Sequence, residues 1–343
     1  MNRFATVIAV AAIALPLAIA ADTTDLTDRA VAFLAALDDA EHGDVTWAFA
    51  EAERQDIHYA PINLDGLRHG NLGKAAYTLG ENVLAATLST RGLAKVRAIR
   101  LLERDIRENE TVLLRLFGLR DPGRYFWALF GDPSTTAPWG YRYEGHHLSI
   151  NVTAVPGSPP VTTPLFLGAQ PRDVPNGMPS AGVAVLGEEE RLARALYASL
   201  DDAQRAAATL AYRADRGHMI GQVTTLESPA PTGLARGSMS RAQRVTLDAF
   251  LDYFAGFWNE EIAAARRADI EAAREGLHFA FVAADDPAFA FYIRVSGPGL
   301  LLEIDNTEGG DHVHAVWHQP AADFGIDLLA RHLEAFHGIA LRR

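Results

Sequence analysis

Hydrophobic residues recur at helical spacing in several parts of the chain. Apolar side chains stand three or four positions apart from Asp25 to Ala40, which predicts an N-terminal helix. The same spacing predicts helices over residues 71–92 and 93–110, with Gly92 between them as a C-terminal cap. Later helices are predicted over residues 187–200, 201–214 and 240–276.

Other parts of the chain are aromatic or β-branched, and they are bounded by Gly, Pro, Asn or Asp. These stretches predict strands, first over residues 45–59 and then repeatedly from Tyr125 onward. The turn sequences "DDPAF" and "SGPG" separate the last strands, so the final four are expected to form an antiparallel meander. Residues 156–187 contain seven prolines and predict a long loop that wraps the body. No internal repeat is evident.

This mixture of elements predicts an α+β fold. An antiparallel sheet is expected, covered by helices on one face, with an N-terminal helical segment and a long Pro-rich loop. The chain has 343 residues and 49% hydrophobic content, which is ample for a large core. We expect residues 21–343 to form a single α+β domain.

The stretch "DHVHAVWH" carries three of the twelve histidines, at positions 312, 314 and 318. On a strand, this spacing turns all three rings to one face and Val313 and Trp317 to the other. Alternation in the other strands gives each an apolar face and a face rich in titratable groups. The polar faces are expected to bring together His147, Arg294, Glu303, Asp305, His312 and His314.

A His-x-His pair on a strand can give a metal ion two nitrogen ligands. The chain contains no cysteine, so a metal site here has to use nitrogen and oxygen ligands. The predicted cofactor is a divalent transition metal, namely zinc, iron or copper. The predicted metal ligands are His312, His314, His147 and Asp305, with Glu303 as general base and Arg294 orienting an acidic group of the substrate.

Several functions remain open from the sequence. The favoured one is a metal-dependent enzyme such as a hydrolase. The alternative is a non-catalytic protein that binds a small molecule, and a third possibility is an envelope scaffold with a solvated histidine face. A metal-free site would use a His/Asp acid–base pair, with Arg294 holding an anion. The nucleophile elbow, the Walker loop and the dinucleotide-binding glycine pattern are absent from the sequence.

The net charge limits the class of partner, and the N-terminal segment predicts where the protein is located. The formal net charge is -12 and only two lysines occur, which argues against a nucleic-acid partner and leaves a small-molecule ligand or substrate. Residues 4–20 form an uncharged apolar run that ends in "AIA", typical of a signal peptide cleaved after Ala20. We therefore expect a secreted or periplasmic protein without stable membrane insertion after cleavage. An uncleaved anchor is the alternative.

Four strings in the chain resemble one bacterial family. They are "PWGYRYEGHHLSINVT", "TPLFLGAQP", "YIRVSGPGLLLEIDNTEGGDHVHAVWH" and "DFGIDLLARH". The family is domain of unknown function 3500, and the resemblance covers roughly residues 47–337. It implies an exported protein of uncharacterised role and supplies no activity or cofactor. Because an arginine is usual in this family at position 318, the resemblance favours His312 and His314 over His318 as ligands.

Overall fold

One large sheet organises the fold. The computed structural model describes residues 24–109, 118–210, 230–283, 291–306 and 310–327. In this part of the chain no helix is long and apolar enough to cross a membrane. The described residues form eight helices: α1 (Thr24–Leu34), α2 (Asp39–Val45), α3 (Lys74–Thr87), α4 (Thr90–Asn109), α5 (Gly187–Ala198), α6 (Asp202–Ala208), α7 (Arg241–Ala255) and α8 (Glu260–Ala273).

The sheet has eleven strands, and its order explains how distant residues meet. The strands are β1 (Thr46–Trp47), β2 (Leu67–Arg68), β3 (Tyr125–Phe130), β4 (Trp139–Gly145), β5 (Leu148–Ala154), β6 (Leu165–Ala169), β7 (Leu234–Ala235), β8 (His278–Ala283), β9 (Phe291–Gly297), β10 (Leu300–Asp305) and β11 (Val313–His318). Their order is β1-β3-β4-β5-β6-β11-β10-β9-β8-β7, and β2 also pairs with β3. Only β1 with β3 is a parallel pair among the described strands.

Helices cover the apolar face of the sheet, which confirms the predicted α+β class. Trp127 on β3 packs against Phe33 of α1, with ring centroids 5.2 Å apart. Trp317 on β11 packs against Phe254 of α7, with centroids 6.4 Å apart. These side chains belong to one continuous buried cluster that runs through both layers. The burial of this face is the main stabilising contribution to the fold.

The opposite face of the sheet is polar, but it is buried as well. Residues 49–62, here called the covering segment, run across it. Arg54 donates to the Phe324 carbonyl at 2.8 Å, and the His58 N–H donates to Glu144 Oε2 at 3.1 Å. The Tyr59 ring stacks on Phe166 of β6 at 3.8 Å. This part of the polar face is therefore an interior surface rather than a solvated one.

The chain uses one arrangement twice. β2, a 3-10 turn, α3, α4 and the strands β3 to β6 recur in the same order as β7, a 3-10 turn, α7, α8 and the strands β8 to β11. β6 and β11 pair with each other and join the two halves at the centre of the sheet. The junctions between paired helices also meet, because Leu88 bridges Trp258. The sequence did not reveal this repeat.

Several predicted helices have different bounds in the structure, and the one predicted over residues 201–214 ends at Ala208. The first predicted helix ends at Leu34, because the Asp38 carboxylate caps a second helix, α2, through a capping box. The helix predicted over 240–276 is two helices, since the Asn259 side chain caps α8 by accepting from the Ile262 N–H. Gly92 lies inside α4 and not at a cap, and a Cβ there would lie 2.0 Å from the Phe257 carbonyl oxygen.

One strand prediction and one loop prediction were also wrong, whereas the final meander forms as expected. Residues 45–59 contain only β1, followed by a 3-10 turn over Ala52–Gln55 and irregular chain. The predicted loop over residues 156–187 contains β6, a fully buried strand between β5 and β11. β8, β9, β10 and β11 pair successively in antiparallel register. Residues 1–23, with the predicted signal peptide, lie outside the described residues.

Candidate metal centre

Three histidines from distant parts of the chain converge at one end of the sheet. His147 lies in the turn between β4 and β5, His312 lies just before β11, and His314 is the second residue of β11. β6 separates β5 from β11 and holds these elements side by side. The ligand atoms of the three rings all lie within 4.8 Å of one another. The group could therefore hold a metal ion.

The contacts between the ring nitrogens are unusual for hydrogen bonds alone. His312 Nε2 lies 2.6 Å from His147 Nε2 and 3.0 Å from His314 Nε2. A neutral imidazole nitrogen carries either a proton or one lone pair, so His312 Nε2 cannot donate to one neighbour and accept from the other. A cation shared by the three lone pairs satisfies all of them at once.

The same distances can be compared with those of metal-bound histidines. Nitrogens bound to zinc at 2.0–2.1 Å are separated from each other by roughly 2.9 to 3.4 Å, depending on the bond angle. The pair at 3.0 Å already fits this range, and the pair at 2.6 Å requires the His147 and His312 rings to separate by a few tenths of an ångström. The nitrogen donor set therefore fits one transition-metal ion.

His147 occupies a backbone conformation that favours glycine. Its φ is 65°, and its N–H and carbonyl are both bonded, to the Tyr59 carbonyl at 3.0 Å and the Gly168 N–H at 2.7 Å. The equivalent turn in the second half of the sheet, between β9 and β10, has Gly299 at φ 66°. A side chain at such a position costs about 1 kcal/mol or more, and such strain clusters at functional sites.

Gly168 leaves the space in which two of the rings meet. It lies on β6, in register with His314 on β11. A Cβ at this position would lie 2.8 Å from His147 Cδ2 and 2.9 Å from His314 Cδ2. Any side chain here would push the rings from their positions, so the glycine is part of the site's construction.

The environment keeps two of the histidines neutral. Burial, followed by the neighbouring histidines His312 and His146, lowers the pKa of His314 to about 3. Burial also lowers the pKa of His147 well below its ordinary value, and His146, the other two histidines and Arg120 add to this effect. Metal ions bind the neutral imidazole, so both rings have the form required of ligands at neutral pH.

A second group adjoins the three histidines. Glu103 of α4 lies 2.5 Å from His146 Nδ1 through its Oε1 atom. The His146 ring stacks on His147 with centroids 3.7 Å apart. Glu103, His146 and His147 also place ligand atoms within 4.8 Å of one another, and all three are buried. His146 is therefore a buried histidine that is bonded to a carboxylate of the helix layer.

The carboxylates predicted for the site lie elsewhere on the same sheet face. Asp305 is opposite His314 on the neighbouring strand β10. Glu303 accepts from Arg294 at 2.9 Å and from the Tyr292 hydroxyl, and its side chain is fully buried. Among the described residues, neither carboxylate belongs to a group whose ligand atoms lie within 4.8 Å of one another. The structure thus brings together His147, His312 and His314, and it places Asp305, Glu303 and Arg294 beside them.

His318 lies apart from the three converging histidines. It is the last residue of β11, fully buried, and its Nδ1 lies 2.6 Å from the Asp323 carboxylate. Asp323 also accepts from the Gln319 N–H at 2.8 Å, which orders the chain after β11. This placement agrees with the preference for His312 and His314 over His318.

Two residues of the site were missed in the sequence. Gly168 lies in the stretch that was assigned to a loop, so nothing marked it. Glu103 had a detectable signal, because it lies on the same helical stripe as the buried Ile99, Leu102 and Ile106. A carboxylate on the apolar stripe of a helix usually has a buried partner, and here that partner is His146.

Comparisons with known proteins identify the family but no activity. No curated protein and no solved structure matches the chain. A family described as protein of unknown function (DUF3500) matches residues 20–326, which include the three converging histidines and every described strand. On this match over most of its length, the chain belongs to the DUF3500 family.

Proposed function

We propose that the protein holds one divalent transition-metal ion with His147, His312 and His314, and that it is an exported metal-dependent enzyme such as a hydrolase. The observation that supports this proposal is the approach of three Nε2 atoms, two of them 2.6 and 3.0 Å from the third. Neutral nitrogen ligands and the absence of cysteine suit zinc, iron or copper.

The different burial of the three histidines indicates from which side a substrate can reach the site. His147 is 2% exposed and fixed by its backbone, whereas His312 and His314 are only partly buried. A small-molecule substrate would therefore approach from the side of His312 and His314. A bound metal would polarise a substrate carbonyl or lower the pKa of a bound water, as three-histidine sites with an open position do.

The proposed enzyme needs groups beyond the three histidines. The roles of Glu303 as general base, Arg294 as an orienting group and Asp305 as a further ligand stay predictions. The Arg294–Glu303 ion pair lies on the same sheet face, in strands β9 and β10, next to the row that contains Asp305 and His314. Because both side chains of this pair are buried, we expect the pair to support the site and not to contact the substrate directly.

Metal content tests the proposal directly. Elemental analysis of purified protein is expected to find about one transition-metal ion per chain. His314→Ala should lose most of it, while the free energy of unfolding of the metal-free variant should differ from that of the metal-free wild type by only about 1 kcal/mol, because the residue is partly exposed. His278→Gln is the matched control: it alters a partly exposed histidine on β8 of the same sheet and should keep the metal.

Two outcomes would count against this function. Full metal content in His314→Ala would show that the ion binds elsewhere. Wild-type protein that stays free of zinc, iron and copper at micromolar concentrations of each would leave the non-catalytic ligand-binding protein as the better explanation.

Export is a separate proposal with its own measurement. The apolar run of residues 4–20 and the small residues Ala18 and Ala20 support cleavage after Ala20. N-terminal sequencing of protein recovered from the periplasm or medium should begin at or near Ala21. Exported protein that still begins with Met1 would contradict cleavage and favour the uncleaved anchor.

A further inference from the structure

Glu103 is a buried carboxylate with one oxygen unused. It lies on α4 within the helix layer and is 1% exposed. Oε1 lies 2.5 Å from His146 Nδ1, but Oε2 has no hydrogen-bond partner among the described residues. An unsatisfied buried carboxylate oxygen costs free energy, and such atoms commonly mark a functional requirement.

The Glu103 carboxylate lies close to a proposed metal ligand. Glu103 and His147 have ligand atoms within 4.8 Å of each other. His147 points Nε2 at His312, at 2.6 Å, so Nδ1 is the ring nitrogen left for another partner. Metal-bound histidines almost always donate this second N–H to a carboxylate, a carbonyl or water.

We infer that Glu103 is a positioning residue that accepts a hydrogen bond from His147 Nδ1–H and so presents the bare Nε2 to the metal. This inference rests on the proposed metal centre. Glu103 then bridges two histidines, with Oε1 on His146 and Oε2 on His147. The bond forms by rotation of the carboxylate toward His147, and its negative charge offsets part of the positive charge of the ion.

A second metal ion between Glu103, His146 and His147 is the competing explanation, and two observations disfavour it. Arg120 Nη1 lies 2.9 Å from His146 Nδ1 and 3.1 Å from His146 Nε2, so a permanent positive charge already stands there. The His146 and His147 rings are stacked at an interplanar angle of 27°. Lone pairs lie in the ring planes, so nearly parallel stacked rings aim them poorly at one shared ion.

Glu103→Gln removes the negative charge of the side chain and one of its acceptor oxygens while it keeps the size of the side chain. The amide has one acceptor oxygen, which His146 would occupy, and it offers an N–H toward His147. His147 Nδ1 must then accept, so the proton moves to Nε2 and blocks the metal. We expect metal affinity to fall about 10- to 100-fold, the usual effect of losing such a partner. Asp105→Asn is the matched control, because Asp105 is a buried carboxylate on the same helix that accepts from the Ser180 N–H.

The tautomer of His147 gives a readout that does not require metal. In ¹⁵N-histidine NMR spectra of metal-free protein, His147 should carry its proton on Nδ1 in the wild type and in Asp105→Asn. It should carry the proton on Nε2 in Glu103→Gln. A loss of packing without a positioning role would not reverse the tautomer.

The outcomes separate this inference from the proposed function. Wild-type protein that binds no metal would overturn the proposed function, while the tautomer reversal would still support Glu103 as the partner of His147. Unchanged affinity together with an unchanged tautomer in Glu103→Gln would overturn the positioning role. Two ions per wild-type chain, one of them lost in Glu103→Gln, would replace it by a second metal site.

Discussion

The backbone of His147 adopts a conformation that disfavours every residue with a side chain. The comparison with Gly299, which has nearly the same φ in the equivalent turn, shows what the fold prefers at this place. Glycine reaches this region at no steric cost, whereas L-residues lose about 1 kcal/mol. The backbone of the hairpin does not favour histidine at this turn, so we attribute the residue to the contacts of its ring with the other two histidines.

Two substitutions at position 147 test this reasoning. His147→Gly and His147→Ala both remove the ring and should both abolish most metal binding. His147→Gly should be more stable than His147→Ala by about 1 kcal/mol, because only glycine relieves the positive φ. Chemical denaturation of both variants measures the difference, and equal stability would show that the turn carries no strain.

Sequence reasoning placed side chains on the correct sheet face on and next to the strands it had recognised, and it missed a central strand that it had assigned to a loop. His314 was placed on the polar face because period two applies along β11, and His312 lies one residue before that strand. His147 was assigned to the right face by the same rule, although it lies in a turn where the rule does not hold. Its position follows from the turn and from β6, and no pattern in "TPLFLGAQP" showed that this stretch is a central strand.

At the scale of elements, the covering segment explains why a polar sheet face can be buried. Residues 45–59 alternate enough to predict a strand, but only Thr46–Trp47 pairs with a neighbouring strand, and polar groups of the residues that follow bind the sheet face. The His58 N–H and the Ser149 hydroxyl both donate to Glu144, at 3.1 and 3.2 Å. Tertiary partners of this kind cannot be read from local periodicity.

Glu144 should make stability depend on pH. Burial raises its pKa from 4.5 to about 7, against the opposing effect of Arg142. Since the folded-state pKa lies above the unfolded value, the stabilising contribution is present below pH 4.5 and is lost as pH rises through 7. The loss amounts to about 3 kcal/mol at 1.36 kcal/mol per unit.

Glu144→Gln removes this dependence. The free energy of unfolding of the variant, minus that of the wild type, should rise by about 3 kcal/mol between pH 4 and pH 8. Urea denaturation at a series of pH values measures it, with Glu51→Gln as a control on the covering segment. Parallel pH curves for Glu144→Gln and the wild type would contradict the raised pKa.

At the scale of the whole molecule, the candidate site lies where the two copies of the repeated arrangement meet. The turn that holds His147 belongs to the first repeat, and its counterpart in the second repeat has Gly299. His312 and His314 belong to the last strand of the second repeat, and β6 of the first repeat lies against them through Gly168. The site thus spans the junction where the two repeats join, and neither repeat contains it alone.

A metal at this junction should stabilise the whole fold. An ion that binds only the folded chain adds about 2.7 kcal/mol to the free energy of unfolding when its free concentration is a hundred times the Kd. Zinc titrated into metal-free wild type should therefore raise the unfolding midpoint, and it should not do so in His314→Ala. Magnesium is the control ion, because it prefers oxygen ligands and should have no effect on either protein. An equal rise with zinc in both proteins would place the stabilising ion away from the three histidines, and the junction between the repeats would then be held by the pairing of β6 with β11 and by packing.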